Sequence, residues 1–211
     1  ELALPLHEAD LADLIQLLRP DQREPFIAML GHDFNAAALS ELDEGVRDQV
    51  LEEMPNEAVA ETLQQLDSDE AVYVIEDLDK QDQTDILAKL PPFERAAIER
   101  SLEYPEDSAG RIMQTDFIAV PPFWSVEQTI DFMRVADDLP DRFYEIFVVD
   151  PGHKPIGTCS LSWILRAPRS VAIADVMKRE QTLIPVDMDQ EEVALRFQKY
   201  ALISAAVVDA S

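Results

Sequence analysis

The sequence has little that bends the chain, crosslinks it or gives it positive charge. Five glycines among 211 residues form no glycine-rich phosphate loop, and no nucleophile elbow or Cys/His cluster accompanies them. Catalysis therefore has no candidate residues, and an enzyme is not expected. The lone cysteine, Cys159, excludes an intrachain disulfide and fits a reducing compartment; its place in an alternating segment reads as a small buried hydrophobe. His7, His32 and His153 are scattered without ligand spacing, which argues against a transition-metal site. No run of 18 apolar residues is present to cross a bilayer, and the N-terminus has no signal-peptide pattern. Only 17 Lys and Arg stand against 43 Asp and Glu, a net charge of −26. That balance argues against nucleic acid or an anionic membrane surface as a direct partner and favours cations or basic proteins.

The acids are unevenly spread. Residues 1–105 hold 26 acidic and 7 basic side chains, whereas 106–211 hold 17 and 10. They are densest in 67–85, DSDEAVYVIEDLDKQDQTD, where Asp67, Asp69, Glu70, Glu76, Asp77, Asp79, Asp82 and Asp85 accompany the single Lys80. This first half also repeats. Leu18, Leu30, Leu42, Met54, Leu66, Leu78, Leu90 and Leu102 recur every twelve residues, and Ile15, Ile27, Leu39, Leu51, Leu63, Ile75 and Leu87 each stand three before a beat. Each period thus carries an i, i+3 apolar pair on one helical face. Turn residues follow each beat, among them Arg19-Pro20-Asp21, Gly31-His32-Asp33, Pro55-Asn56-Glu57 and Pro91-Pro92-Phe93. The spacing predicts helices of about nine or ten residues, each too short to stand alone in water, stacked into a superhelix around a Leu/Ile column. The acids fall on its outer face. Two carboxylates about 6 Å apart repel by ~0.7 kcal/mol in water but by ~3 kcal/mol at an effective dielectric of 20. A solvated helical surface explains them; so does a surface that needs cations before it can pack against another acidic one.

Beyond residue 105 the pattern changes. Phe117-Ile118-Ala119-Val120 reads as a strand, Ser125-Val126-Glu127-Gln128 as a capping box opening a helix to about Val135, Glu145–Asp150 and Pro155–Ser160 as two further strands, and short helices follow from Leu161 and over Val171–Met177. The unit then begins again: strand 182–186, capping box Asp189-Gln190-Glu191-Glu192, and Ala205–Asp209 repeating Val148-Val149-Asp150. The longer spacing in the first copy is a loop near 137–141. The fold class expected is α+β, an all-α superhelical first domain (1–103) followed by a tandem β-α-β-β-α module, the first copy spanning 104–178 and the second, incomplete, 179–211. Trp124 and Trp163 are expected to pack.

The tandem unit resembles cystathionine-β-synthase (CBS) domains, and Tyr104-Pro105-Glu106-Asp107-Ser108-Ala109-Gly110-Arg111-Ile112-Met113 resembles the junction of MgtE-type magnesium transporters, in which a helical acidic N-domain precedes a CBS pair. The resemblance covers the whole chain. It implies the cytosolic regulatory region of a magnesium channel, at the cytoplasmic face of the cell membrane as part of a multi-pass protein whose transmembrane channel domain lies outside this chain. It implies a homodimer formed through the CBS domains, with Mg²⁺ bound between N-domain and CBS carboxylates holding the pore closed.

Carried over residue by residue, it assigns metal roles to Asp69, with Glu70 beside it, and to Asp189 and Glu191. Where the family has a further acid four residues past Asp69, this chain has Tyr73, and Ala201 stands where another acid occurs; Glu76, Asp77 and Asp79 are candidate substitutes. CBS pairs that hold adenine nucleotides use an Asp where Gly157-Thr158-Cys159-Ser160-Leu161-Ser162-Trp163 ends in Trp163. An indole cannot accept two hydroxyl hydrogen bonds, so no nucleotide is expected in the first unit. Two alternatives stay open: a nucleotide-responsive CBS regulator, and an acidic helical scaffold for a basic protein.

Overall fold

The computed structural model describes residues 6–31, 34–136, 139–140 and 142–209. His32 and Asp33 of one expected turn, and most of the expected loop at 137–141, lie outside the described residues. The chain divides into two compact units, Glu1–Glu103 and Tyr104–Ser211.

The first unit is helical: α1 (Glu8–Leu17), α2 (Pro20–Leu30), a short 3₁₀ turn (Ala36–Leu39), α3 (Glu44–Glu53), α4 (Asn56–Leu63), α5 (Ser68–Ile75), α6 (Lys80–Leu87) and α7 (Pro92–Leu102). Proline opens α2 and α7 at their first turns, where its missing N–H removes no helical bond. The column three residues before each beat is the deeper one. Ile15, Leu39 and Ile75 are wholly buried, and Ile27, Leu51, Leu63 and Leu87 nearly so. The beat residues Met54, Leu66, Leu78 and Leu102 pack partly buried against that core, because they sit at or just beyond helix ends.

One period departs from the expected helix. Between α2 and α3 the chain turns at Gly31, whose φ of 53° suits glycine, and Asn35 caps a single 3₁₀ turn by accepting from the Ala37 N–H at 3.2 Å. Ala36, Ala38 and Leu39 are all buried there. A helix needs one polar face toward water, and this segment has none to offer.

The second unit contains two small sheets. β1 (Ala119–Val120) runs parallel to β2 (Glu145–Val149), which pairs antiparallel with β3 (Pro155–Ser160); β4 (Leu183–Pro185) runs parallel to β5 (Ala206–Val208). Helix α8 (Val126–Val135) links β1 to β2, α11 (Gln190–Tyr200) links β4 to β5, and α9 (Leu161–Arg166) and α10 (Ile173–Val176) follow β3. The copies are related by a shift of 64 residues that is visible in the backbone. The bridge between Ser125 and Ala172 recurs as Ser108 with Asp189. Likewise, the Val126 N–H donates to the Val171 carbonyl at 2.9 Å and the Gln190 N–H to the Asp107 carbonyl at 2.7 Å; the Ile173 N–H donates to Trp124 and the Ala109 N–H to Met188.

These bonds exchange two arms. Residues 107–110, which precede β1, close the start of α11 and place Ala109 in a core with Ile184 and Met188. Residues 169–173, which precede β4, close the start of α8, and Ile173 and Met177 enter the core of Ile118, Val120, Ile146, Val148 and Ile164. By this register residues 108–113 correspond to residues 172–177. Cys159 is buried in that core, where burial, with the Glu145 carboxylate behind it, pushes its thiol up to about 11. Trp124 packs edge-on to Phe132 with ring centroids 5.4 Å apart. Trp163 differs from expectation: it is 52% exposed, because Ile164 is the residue α9 turns inward.

Candidate cation-binding carboxylates

Among the described residues of the first unit every Asp and Glu is exposed or half-buried, while two arginines are buried. The unit therefore carries its negative charge outside and part of its scarce positive charge inside. Arg23 donates to Gln49 and to the Ile15 carbonyl. Arg47 on α3 is 1% exposed; its Nη2 donates to Asp77 Oδ2 at 2.9 Å, and its guanidinium lies 4.2 Å from the centre of the Tyr73 ring.

At position 73, where the family has an acid, the Tyr73 ring covers one face of the buried guanidinium. Two of the candidate substitutes are engaged within the unit: Asp77 is held by Arg47, and Asp79 caps α6 by accepting from the Gln81 and Asp82 N–H groups at 2.9 and 3.0 Å. Glu76 ends α5 half-buried, and the Gln83 side-chain amide donates to the carbonyls of Ile75, Glu76 and Leu78 at 2.9 to 3.0 Å. One glutamine thus ties off the turn that carries these acids.

Asp69 and Glu70 stand together in the first turn of α5, after the N-cap Asp67. Helix N-termini favour negative charge, and α5 fixes the position by burying Ala71, Val72, Val74 and Ile75. Burial first, then the charges of Asp67 and Asp69 and, from α1, Glu8, push the Glu70 carboxyl above its ordinary 4.5; a backbone hydrogen bond at Asp67 opposes them. A carboxylate in that position is held at a cost that a nearby cation would relieve.

Asp189 and Glu191 open α11. Asp189 is the N-cap, its Oδ1 accepting from the Glu191 N–H at 2.8 Å. The capping box expected here does not form: Asp189 accepts from the second helical N–H and not the third, and the Glu192 carboxylate accepts from Arg196 at 2.8 Å, one turn further on. In α8 both halves form: Ser125 Oγ accepts from the Gln128 N–H at 3.1 Å, and Gln128 Oε1 from the Ser125 N–H at 2.8 Å. Asp189 and Glu191 are exposed.

No three His, Cys, Asp or Glu side chains among the described residues converge as a ready-made metal site. What is present is two pairs of carboxylates, each at a helix start, half-buried at Asp69 and Glu70 and exposed at Asp189 and Glu191. This donor set fits Mg²⁺, which takes one or two carboxylates and keeps several of its waters. Sequence reasoning did not single out Arg47, Asp107 or Gln190. Arg47 was visible in principle, since it falls at i relative to the buried Val50 and Leu51 at i+3 and i+4.

The second unit also holds a cleft of about 450 Å³ lined by residues including Glu145, Thr158, Lys178, Gln181, Thr182 and Tyr200. Glu145 Oε2 accepts from Ser204 Oγ at 2.7 Å at its edge. Trp163 is not among the lining residues.

Comparison with known proteins converges on one family. Residues 6–107 match the MgtE intracellular N domain and residues 109–169 the CBS domain. The magnesium transporter MgtE of Thermus thermophilus is 33% identical over 120 residues, 57% of this chain and 27% of its own. MgtE of Bacillus subtilis (strain 168) is 20% identical over 204 residues, 97% of this chain and 45% of its own. The chain thus spans roughly a quarter to a half of the length of these relatives. The crystal structure of the cytosolic domain of the Mg²⁺ channel MgtE in complex with ATP superposes with a TM-score of 0.86 at 28% identity, covering 99% of this chain and 86% of that one. Among the described residues no helix is long and apolar enough to cross a membrane. An N domain and a CBS domain in that order, on the fold of the MgtE cytosolic domain from end to end, place this chain in the MgtE family of magnesium transporters as its cytosolic region.

Proposed function

We propose that this chain is the Mg²⁺-sensing regulatory region of a magnesium transporter, and that Asp69 and Glu70 of the helical unit and Asp189 and Glu191 of the CBS region supply the carboxylates. The observation that carries this reading is the likeness to the MgtE cytosolic domain over 99% of the chain. The chemistry agrees with it. Carboxylates at the surface or half-buried near it leave Mg²⁺ most of its own waters and bind it weakly, at concentrations on the order of millimolar, which suits a sensor better than a permanent cofactor site. A cation favours whichever arrangement of the two units brings more carboxylates to it, and the population shifts by the difference in affinity, so several weak sites together make a switch. The pore, the membrane location on its cytoplasmic side and dimerisation through the CBS region belong to the same proposal. Exposed Trp163 and Leu165 on α9 and Val135 on α8 are apolar surface of the kind a dimer would cover.

The test is a Mg²⁺ titration followed by amide NMR on the 211-residue chain. Shifts at Asp69, Glu70, Asp189 and Glu191 are expected, lost from each pair in Asp69→Asn/Glu70→Gln and in Asp189→Asn/Glu191→Gln. Shifts spread over all the acids in proportion to ionic strength would mean simple screening.

A second reading has its own observation. The cleft lined by Glu145, Lys178 and Gln181 is of a size for a small ligand, and the similar cytosolic domain was crystallised with ATP. ATP shifting the amides of Thr158, Lys178 and Thr182 would support nucleotide binding here despite Trp163; an unresponsive cleft would sink it.

A further inference from the structure

The two arm exchanges share one backbone pattern but differ in chemistry. At the start of α8, Val126 meets Val171 through one backbone bond, and the side-chain contact falls one residue on, where the Glu127 N–H donates to the Arg169 carbonyl at 2.9 Å and Arg169 Nη1 donates to Glu127 Oε1 at 3.3 Å. At the corresponding place on α11, Gln190 grips Asp107 twice: its N–H donates to the Asp107 carbonyl at 2.7 Å, and its Nε2 to Asp107 Oδ1 at 2.9 Å. The neighbours of Gln190 on either side are Asp189 and Glu191. Beyond Asp107 the arm continues through Ala109 and Gly110, whose N–H groups donate to the carbonyls of Met188 and Val186 at 2.7 and 2.8 Å.

The arm is stiff. Arg111 donates to the Tyr104 carbonyl through both Nε and Nη2, at 3.2 and 2.7 Å, and Ser108 Oγ donates to the Pro105 carbonyl at 2.6 Å. The Gly110 Cα faces the Tyr104 ring so closely that an added Cβ would lie 2.6 Å from it. Residues 104–111 are therefore tied together by their own contacts, and Tyr104 directly follows the last residue of the helical unit.

We infer that the Asp107–Gln190 pair is the coupling element of this region, with Gln190 a positioning residue through which a divalent cation at Asp189 and Glu191 tightens the arm that leads to the helical unit. The inference rests on the cation role proposed for those two carboxylates. Without a cation, the Asp107, Asp189 and Glu191 charges crowd one helix start, and the side-chain amide of Gln190 is the contact that ties the Asp107 carboxylate to α11 against their repulsion. A cation removes that repulsion, and the amide passes the change to a segment with no slack.

Amide exchange in the 211-residue chain tests this, read in EDTA and in MgCl₂ for the wild type, Gln190→Ala and Asp107→Asn. In EDTA, Gln190→Ala speeds exchange at Ala109 and Gly110 about fivefold, the effect of one partly exposed charge-assisted hydrogen bond. Asp107→Asn keeps the acceptor oxygen and stays within about twofold of wild type. Ile173 and Ala174, on the other arm, are unchanged in both and show that the fold is intact. Mg²⁺ slows Glu191, Ala109 and Gly110 in the wild type, but only Glu191 in Gln190→Ala. An unaltered arm in EDTA, or an arm that still answers Mg²⁺ in Gln190→Ala, overturns the coupling role alone. A wild type in which Glu191 ignores Mg²⁺ overturns the cation reading and the coupling with it.

Discussion

Removing the half-exposed Asp77 should destabilise the helical unit more than removing the wholly buried Arg47. Arg47 is 1% exposed, and of its donors Nη2 reaches Asp77 while Nε and Nη1 meet no partner among the described residues. In Asp77→Ala the guanidinium stays buried with only the Tyr73 ring opposite its charge. Breaking a fully buried pair costs about 3–5 kcal/mol; the Asp77 side chain is 44% exposed, and screening by that water brings the expected loss to ~2 kcal/mol. Arg47→Met keeps the stem and its packing. It forfeits the pair and a ring contact of about 0.5–2 kcal/mol, but also removes two unpaired buried donors at about 1–3 kcal/mol each. The net change should stay within ~1 kcal/mol, with stabilisation the expected sign.

Urea unfolding followed by far-UV circular dichroism reads the helical unit. Tryptophan fluorescence is an internal control, since Trp124 and Trp163 are both in the second unit. With a slope of about 1–3 kcal/mol per molar urea, Asp77→Ala should lower the dichroism midpoint by ~1 M, while Arg47→Met should leave it unchanged or raise it slightly. If Arg47→Met falls as far as Asp77→Ala, the guanidinium is a net stabiliser and the account of its buried donors is wrong.

Gln83→Leu leaves the carbonyls of Ile75, Glu76 and Leu78 without their shared donor and should cost ~2 kcal/mol by the same urea assay; a loss under half of that would show that water replaces the amide. Ser125→Ala removes an intact capping box and should cost about 1 kcal/mol in the tryptophan transition, leaving the dichroism of the helical unit unchanged. Gly110→Ala drives a Cβ into the Tyr104 ring and should loosen the arm, seen as faster exchange at Ala109; unchanged exchange would mean that the ring turns aside freely. Glu70 supplies a pH test. Its folded carboxyl titrates above 4.5, so between 4.5 and that raised value the folded state binds the proton more tightly than the unfolded chain, and stability falls as pH rises through the window. Glu70→Gln should flatten that part of the stability–pH curve, and an unchanged slope would assign it to another carboxylate.

The helical unit was largely legible because its signal is local. A twelve-residue beat with an apolar partner three before it names the buried column Ile15 to Leu87, each helix being one repetition of the same face. The 3₁₀ turn at Ala36–Leu39 escaped because the beat continues through Leu39 and Leu42 although the segment lacks a polar face. In the second unit, strands and caps followed from alternation and from Ser125-x-x-Gln128. The simple cap at Asp189, in place of a box, did not, since Arg196 holds Glu192 from one turn away. The arm exchange was hidden for a different reason. It is written in backbone bonds between residues about 50 to 80 apart, which any side chains satisfy, so only the faint likeness of Ser108–Met113 to Ala172–Met177 marks it. Of the site, Asp69, Glu70, Asp189 and Glu191 entered through family resemblance. Arg47 could have been read directly, as a charge in an i, i+3, i+4 apolar stripe.

Small-angle scattering of the 211-residue chain during a Mg²⁺ titration, beside KCl at matched ionic strength, tests the sensing role most directly. Compaction is expected at Mg²⁺ concentrations on the order of millimolar, with none in KCl and loss of the response in Asp69→Ala and in Asp189→Ala. Equal responses to the two salts, or a response that survives both substitutions, would contradict it.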